Sequence, residues 1–166
     1  MDMELPKRKN IRLKGYDYNT PGCYFITICT KNKEKLLCNI VGTDVLGGPK
    51  IIFTQCGNIV DGQLEYMSDF YTHIKIDKYV VMPNHVHLLL RVTERNGPPG
   101  RAVPTKSVVS DFVGTFKRFT DRKIGINIWQ GRSYDHIIRD EKDYLKIAEY
   151  IENNPYKWKE DCFYCE

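Results

Sequence analysis

Runs of β-branched, aromatic and aliphatic residues predict five short strands along the chain. Most of these runs are bounded by residues that favour turns, such as Pro21 and Gly22 before the first and Pro83 and Asn84 between the last two. The last two runs are close enough in sequence to form a hairpin around that turn. The predicted strands cover residues 23–30, 36–41, 50–54, 74–81 and 85–92.

Helical spacing of apolar residues occurs in three segments, weakly over residues 57–66 and clearly in the two that follow. One helix is expected to begin after Ser107, a residue type that caps helices. Another is predicted over residues 141–153, because Asp140 can cap its start and Pro155 ends it. Together these elements indicate an α+β domain, in which a central antiparallel sheet is flanked by helices.

The composition is that of one globular domain. The chain has 166 residues, of which 42% are hydrophobic and 28% are charged, and a chain of this length can fold without disulfides or a structural metal. We therefore treat residues 1–166 as a single domain and the six cysteines as free thiols. The longest uncharged apolar stretch, residues 79–90, is too short for a membrane span. We expect a cytosolic protein with no membrane partner.

Positive charge is concentrated in two parts of the chain. The net charge of +4 permits nucleic-acid binding but does not require it. Residues 1–14 form a basic amino-terminal arm, which is either a solvated tail or a contact to phosphates. Residues 96–105 read as a loop rich in Gly and Pro, and a second basic stretch follows it.

Two histidines provide the clearest candidate chemistry. Side chains alternate between the faces of a strand, so His85 and His87 are expected to point to the same side and Val86 to the other. Two imidazoles placed in this way can share a metal ion. A pair of structural histidines is the alternative, and two ligands alone do not complete a metal site.

Tyr150 lies at the edge of the apolar stripe of the third predicted helix, and Asn154 follows four residues later on nearly the same side. A tyrosine here could act as a nucleophile, and the amide oxygen of Asn154 could bind a metal. From the spacing alone, the favoured interpretation is a boundary tyrosine and a helix-terminal asparagine without a catalytic role.

Several motifs occur together in a characteristic order. They are residues 24–27 (YFIT), 79–89 (YVVMPNHVHLL), 110–120 with the sequence GTFKRF, 129–139 (WQGRSYDHIIR) and 143–155. In this order the chain resembles the REP-associated tyrosine transposases, which are single-tyrosine members of the HUH superfamily related to the small insertion-sequence transposases. The resemblance implies a ferredoxin-like HUH nuclease fold.

The resemblance also implies roles for individual residues. His85 and His87 match the histidines that bind a divalent metal, either Mg²⁺ or Mn²⁺, and Tyr150 matches the catalytic tyrosine. Asn154 matches the third metal ligand, which is Gln in related insertion-sequence transposases. His136 matches a recurrent Asp-His pair and is a supporting residue, with a structural hydrogen bond as its default role.

The implied activity is metal-dependent cleavage and rejoining of single-stranded DNA at repeat hairpins, through a 5′-phosphotyrosine intermediate. The candidate phosphate contacts are Arg8, Lys9, Lys117, Arg118 and Arg132. A monomer is favoured over a homodimer in which Tyr150 would serve the metal site of the partner. The remaining alternatives are a hairpin-DNA-binding relative without catalysis and an unrelated His-x-His metal enzyme that acts on a small molecule.

Overall fold

The computed structural model describes residues 16–44, 48–94 and 107–164. The predicted basic arm, with Arg8 and Lys9, and the predicted loop at 96–105 lie outside the described residues. The strands are β1 (Gly22–Cys29), β2 (Cys38–Asp44), β3 (Gly48–Phe53), β4 (Ile74–Met82), β5 (His85–Val92) and β6 (Tyr134–Ile138). The helices are α1 (Gln55–Phe70), α2 (Val108–Ile124) and α3 (Glu141–Asn153), together with short 3₁₀ turns at Lys31–Lys33 and Trp158–Glu160.

Four strands form the central sheet in the order β4-β5-β1-β6, and every neighbouring pair is antiparallel. Helix α1 connects β1 to β4, and α2 connects β5 to β6, which gives the ferredoxin-like βαββαβ arrangement. A separate two-stranded hairpin, β2-β3, is inserted between β1 and α1. The predicted α+β class with a central antiparallel sheet is confirmed.

The two faces of the sheet are covered by different elements. Even-numbered residues of β1 and β5, such as Ile26 and Leu88, pack with α1 and α2 in the larger core. Odd-numbered residues, such as Phe25 and Leu89, pack with α3 and the β2-β3 hairpin. The predicted same-side placement of His85 and His87 therefore puts both histidines on the α3 face.

Both predicted helix starts are capped as expected. The Ser107 hydroxyl accepts from the backbone of Ser110 at 3.2 Å, and the Asp140 carboxylate accepts from the backbone of Asp143 at 2.8 Å. Gly125 ends α2 with φ near +90°, a left-handed conformation that favours glycine.

The sequence prediction differs from the structure in the bounds of two elements and in one strand. Strand β2 and helix α1 are longer than the predicted segments 36–41 and 57–66 and end later in the chain. Strand β6 was not predicted, since its five residues become a strand through pairing with β1. The five described cysteines are free thiols, as predicted. None of the helices in the described ranges is long and apolar enough to cross a membrane.

Candidate active site

His85 and His87 lie at the start of β5, which is an inner strand of the sheet. Their strand, β5, runs between β1 and β4, so His87 is paired with Thr27 on one side and Val80 on the other. The Nε2 atoms of the two histidines are 3.0 Å apart. Their side chains are 0% and 1% exposed, so both rings are fully buried.

The ring of His85 is fixed by the residue that precedes it. The Asn84 amide nitrogen donates to the backbone carbonyls of Phe163 and Lys33 at 2.8 and 3.2 Å, which leaves its oxygen to accept. This oxygen lies 2.9 Å from Nδ1 of His85, so Nδ1 carries the proton. The lone pair of Nε2 is therefore directed towards His87, as a metal ligand requires.

His87 is held in a similar way by β1. Its Nδ1 lies 2.8 Å from the Thr27 hydroxyl, which can accept or donate and so is compatible with either tautomer. Burial lowers the pKa of His85 to about 3 and also lowers the pKa of His87 well below its ordinary value, with further lowering by the neighbouring His85. Both rings are neutral at physiological pH, which is the state that binds metal ions.

Tyr150 extends from α3 to this pair. Its hydroxyl is 3.3 Å from Nε2 of His87, and its ring meets the ring of Phe25 edge-on at 6.0 Å. The hydroxyl also donates to an oxygen of Asp161 at 3.2 Å. Burial raises the pKa of Tyr150, and the Asp161 carboxylate raises it further, so the phenol is protonated in this arrangement.

Asn154 follows α3 directly and keeps helical backbone angles, so it remains on the Tyr150 side one turn later. Its side chain is 2% exposed, and its amide nitrogen donates to Asp161 Oδ2 at 2.6 Å. Its amide oxygen is buried and has no hydrogen-bond partner within the described part of the chain. The Asn154 side chain raises the pKa of His85, as an acceptor beside an imidazole does, against the larger lowering by burial.

Asp161 is a site residue that the sequence did not indicate. It follows the 3₁₀ turn Trp158–Glu160, beyond the end of α3, where no motif distinguishes it. One of its oxygens and one ring nitrogen from each of His85 and His87 lie within 4.8 Å of one another. The chain folds back after Pro155, which brings this carboxylate to the histidines.

These side chains suit a divalent metal ion. Two neutral imidazole nitrogens face each other, and the buried oxygen of Asn154 has no other partner among the described residues. Nitrogen ligands combined with amide or carboxylate oxygens suit Mn²⁺ better than Mg²⁺, which prefers oxygen ligands alone. Among the described residues, His85, His87 and Asp161 form a group whose side-chain geometry could hold a metal ion.

The carboxyl-terminal segment covers the histidines. The Phe163 ring lies 4.7 Å from the His85 ring and 5.9 Å from the His87 ring, measured between centroids. Trp158 lies 6.0 Å from His85 on the same side. An open cleft of about 410 Å³ runs beside Tyr150 and Asn154, and Lys146, Lys157 and Asp161 also line it. The nucleophile candidate therefore faces solvent, whereas the histidines do not.

The remaining candidate residues lie elsewhere. His136 on β6 bonds to Asp143 at 2.8 Å, a contact between the sheet and the first turn of α3. Lys117 lies on α2, where it is half-buried and donates to the Gln130 carbonyl at 2.8 Å. Arg118 and Arg132 are exposed, and Arg118 stacks over Phe119. The structure does not bring these four residues into contact with the histidines.

Comparison with known proteins assigns the family. Residues 22–154 match the family model described as "Transposase IS200 like", and this range contains both histidines, Tyr150 and Asn154. The chain belongs to the IS200-like transposase family. The predicted resemblance to this family is confirmed.

Two relatives show how far the similarity within the IS200-like family extends. An uncharacterized protein of Haemophilus influenzae is 36% identical over 178 aligned positions, which cover 96% of this chain and 94% of the relative. The REP-associated tyrosine transposase of Escherichia coli is 32% identical over 87 residues, which cover 50% of this chain and 45% of that protein.

A solved structure agrees with the family assignment at the level of the fold. It is described as a REP-associated tyrosine transposase bound to a REP hairpin, and it superposes with a TM-score of 0.63 at 23% identity. The match covers 89% of this chain and 74% of that one. The sheet and its helices are therefore those of a known transposase fold.

Proposed function

We propose that the protein is a metal-dependent transposase and endonuclease of single-stranded DNA, which cleaves and rejoins DNA at repeat hairpins through a 5′-phosphotyrosine intermediate. The observation that carries this proposal is the 3.3 Å distance between the Tyr150 hydroxyl and Nε2 of His87. A nucleophile candidate and a metal-ligand candidate thereby share one site in a member of a transposase family.

The chemistry follows from these residues. The Tyr150 oxygen forms a bond to the scissile phosphorus, and the bond from phosphorus to the 3′ oxygen breaks. The hydroxyl proton is released to water as the new bond forms, and the departing 3′ oxygen takes up a proton from water. His85, His87 and Asn154 would hold the divalent metal, Mg²⁺ or Mn²⁺, which when bound supplies positive charge beside the phosphate. Attack by a different 3′ hydroxyl reverses the step and rejoins the strand.

Hairpin DNA is the proposed partner because the fold matches a transposase described as bound to a REP hairpin. Lys117, Arg118 and Arg132, with Arg8 and Lys9 in the amino-terminal arm, are the proposed phosphate contacts. We propose that one chain, the single domain 1–166, is sufficient as a monomer. A cytosolic location stays a prediction.

A second candidate function is hairpin binding without cleavage. The observation in its favour is the burial of His85 and His87 beneath Phe163, since both rings are at most 1% exposed. In this case the histidines would be structural, and the protein would bind hairpin DNA equally well with or without a divalent metal ion.

The deciding experiment looks for a covalent adduct. The protein is incubated with Mn²⁺ and a single-stranded hairpin from the repeats beside its own gene, and the products are separated on a denaturing gel. A label at the 3′ end of the DNA should move with the protein, and a label at the 5′ end should be released. Tyr150→Phe should abolish the adduct and keep binding.

Tyr156→Phe is the matched control, because Tyr156 is an exposed tyrosine six residues along the chain. This variant should form the adduct normally. Binding without any adduct would favour the second candidate function. An adduct that survives in Tyr150→Phe would rule out Tyr150 as the nucleophile.

A further inference from the structure

Asp161 makes contacts that none of the motifs explain. It lies beyond the residues 22–154 that match the family model, in the segment after α3. Its Oδ2 atom accepts from both the Tyr150 hydroxyl, at 3.2 Å, and the Asn154 amide nitrogen, at 2.6 Å. One carboxylate oxygen therefore contacts the proposed nucleophile and the proposed third metal ligand.

The contact to Asn154 determines which way its amide faces. An ionised carboxylate can only accept hydrogen bonds, so the nitrogen of the amide must point to Asp161 and the oxygen must point away. The oxygen is buried and has no hydrogen-bond partner among the described residues, and the Asn154 side chain is near enough to His85 to raise its pKa. With the amide reversed, two oxygens would face each other and a nitrogen donor would replace the metal-binding oxygen.

The carboxylate is itself held in place. Its other oxygen, Oδ1, accepts from the backbone N–H of Phe163 at 2.7 Å. The Phe163 carbonyl in turn accepts from Asn84, the residue that orients His85. Asp161 thus belongs to the same hydrogen-bonded network that orients the first histidine.

We propose that Asp161 is a positioning residue, which holds the Asn154 amide with its oxygen towards the histidines and holds the Tyr150 hydroxyl beside His87. This inference rests on the proposed function, because it assigns Asp161 to the proposed metal and nucleophile site. The alternative is that Asp161 binds the metal directly through the geometry that it shares with His85 and His87. We favour positioning, since Oδ2 is already occupied by two donors.

A double-mutant cycle separates these roles. Mn²⁺ affinity is measured by calorimetry for the wild-type chain, Asp161→Ala, Asn154→Ala and the double variant. Loss of a residue that orients a metal ligand typically weakens binding about 10- to 100-fold, and we expect a decrease of this size for Asp161→Ala. If Asp161 acts through Asn154, adding Asp161→Ala to Asn154→Ala should change the affinity little.

Glu160→Ala is the matched control, because Glu160 is an exposed acid that lines the same cleft. It should leave Mn²⁺ affinity unchanged. Phe163→Ala tests whether the segment acts merely as a cover; it removes the ring above the histidines but keeps Asp161 and its backbone contact. This variant should not reproduce the loss of affinity. Melting temperatures establish that each variant is folded.

The outcomes distinguish the inference from the function on which it rests. A further large loss of affinity in the double variant would make Asp161 a direct ligand and overturn the positioning role. Unchanged Mn²⁺ affinity in Asp161→Ala, or faster adduct formation, would overturn it as well while leaving the proposed function intact. A wild-type chain that binds no Mn²⁺ and forms no adduct would overturn both.

Discussion

The hydroxyl of Tyr150 lies 3.3 Å from Nε2 of His87 within one chain, although 63 residues separate the two in sequence. The contact arises because α3 packs on the face of the sheet to which the odd-numbered residues of β5 point. A complete set of proposed catalytic groups is thus supplied by a single copy of the chain.

This arrangement predicts that Tyr150 acts on the metal site of its own chain. Mixing Tyr150→Phe with His87→Ala should not restore adduct formation, because each copy lacks one essential group. In a dimer that exchanges tyrosines, a mixed pair would contain one intact site. Adduct formation by the mixture above that of either variant alone would therefore contradict the monomer proposal.

Thr27 provides a prediction about metal affinity. Its hydroxyl lies 2.8 Å from Nδ1 of His87 and is buried, so it orients the ring. Thr27→Val keeps the shape but removes the hydroxyl, and we expect Mn²⁺ affinity to fall about 10-fold. Thr27→Ser keeps the hydroxyl and should bind nearly as tightly as the wild type. Calorimetry checks both variants, and equal losses in the two would assign the effect to packing.

The central elements of the fold could be predicted from the sequence because each has a local signature. Alternation in β5 placed His85 and His87 on one face, and the spacing in α3 placed Tyr150 at the edge of its buried stripe. The family motifs then linked these residues to one site. Local patterns carried this information because neighbouring residues determine which face a side chain occupies.

Other parts of the site could not be predicted because they depend on distant partners. Strand β6 pairs with β1 across more than one hundred residues of sequence, and its own five residues show no clear alternation. Asp161 reaches the site only because the chain folds back after α3, and nothing in its immediate sequence marks it. Thr27 contacts His87 through strand pairing over 60 residues.

Salt dependence tests the proposed phosphate contacts. Binding that neutralises phosphates releases counterions, so hairpin affinity should fall steeply as salt increases. Arg118 is exposed on α2, and Arg118→Gln should reduce the slope of log affinity against log salt by about 0.7 to 0.9. An unchanged slope would remove Arg118 from the DNA interface.

Lys75→Gln is the matched control for that experiment, because it also removes one positive charge. Lys75 lies opposite Arg91 in the β4-β5 hairpin. This end of the hairpin is roughly 20 Å from His85 along the strand. It is exposed, so the substitution should not disturb the fold. The slope should stay at the wild-type value, and a decrease equal to that of Arg118→Gln would indicate a general charge effect.

Lys117 leads to a prediction about stability and pH. Its ammonium group is half-buried on α2, and burial lowers the pKa of Lys117 from its ordinary value of 10.5 to about 8. In the unfolded chain the pKa of Lys117 keeps its ordinary value. Between these two pKa values the unfolded chain therefore binds more protons than the folded chain. The folded chain should therefore become more stable as the pH rises across that window. Below the window, Lys117 is charged in both states, and the cost of burying its charge is at its largest.

The measurement compares the melting temperatures of the wild-type chain and Lys117→Met at a series of pH values. The melting temperature of Lys117→Met relative to that of the wild type should be highest below about pH 8, where the wild type buries a charge. The difference should then shift in favour of the wild type as the pH approaches the ordinary lysine value, because the neutral amine keeps its hydrogen bond to Gln130. Lys123→Met, at an exposed position in the last turn of the same helix, should show no such shift. Parallel pH profiles for Lys117→Met and the wild type would show that the Lys117 ammonium is solvated in the folded chain.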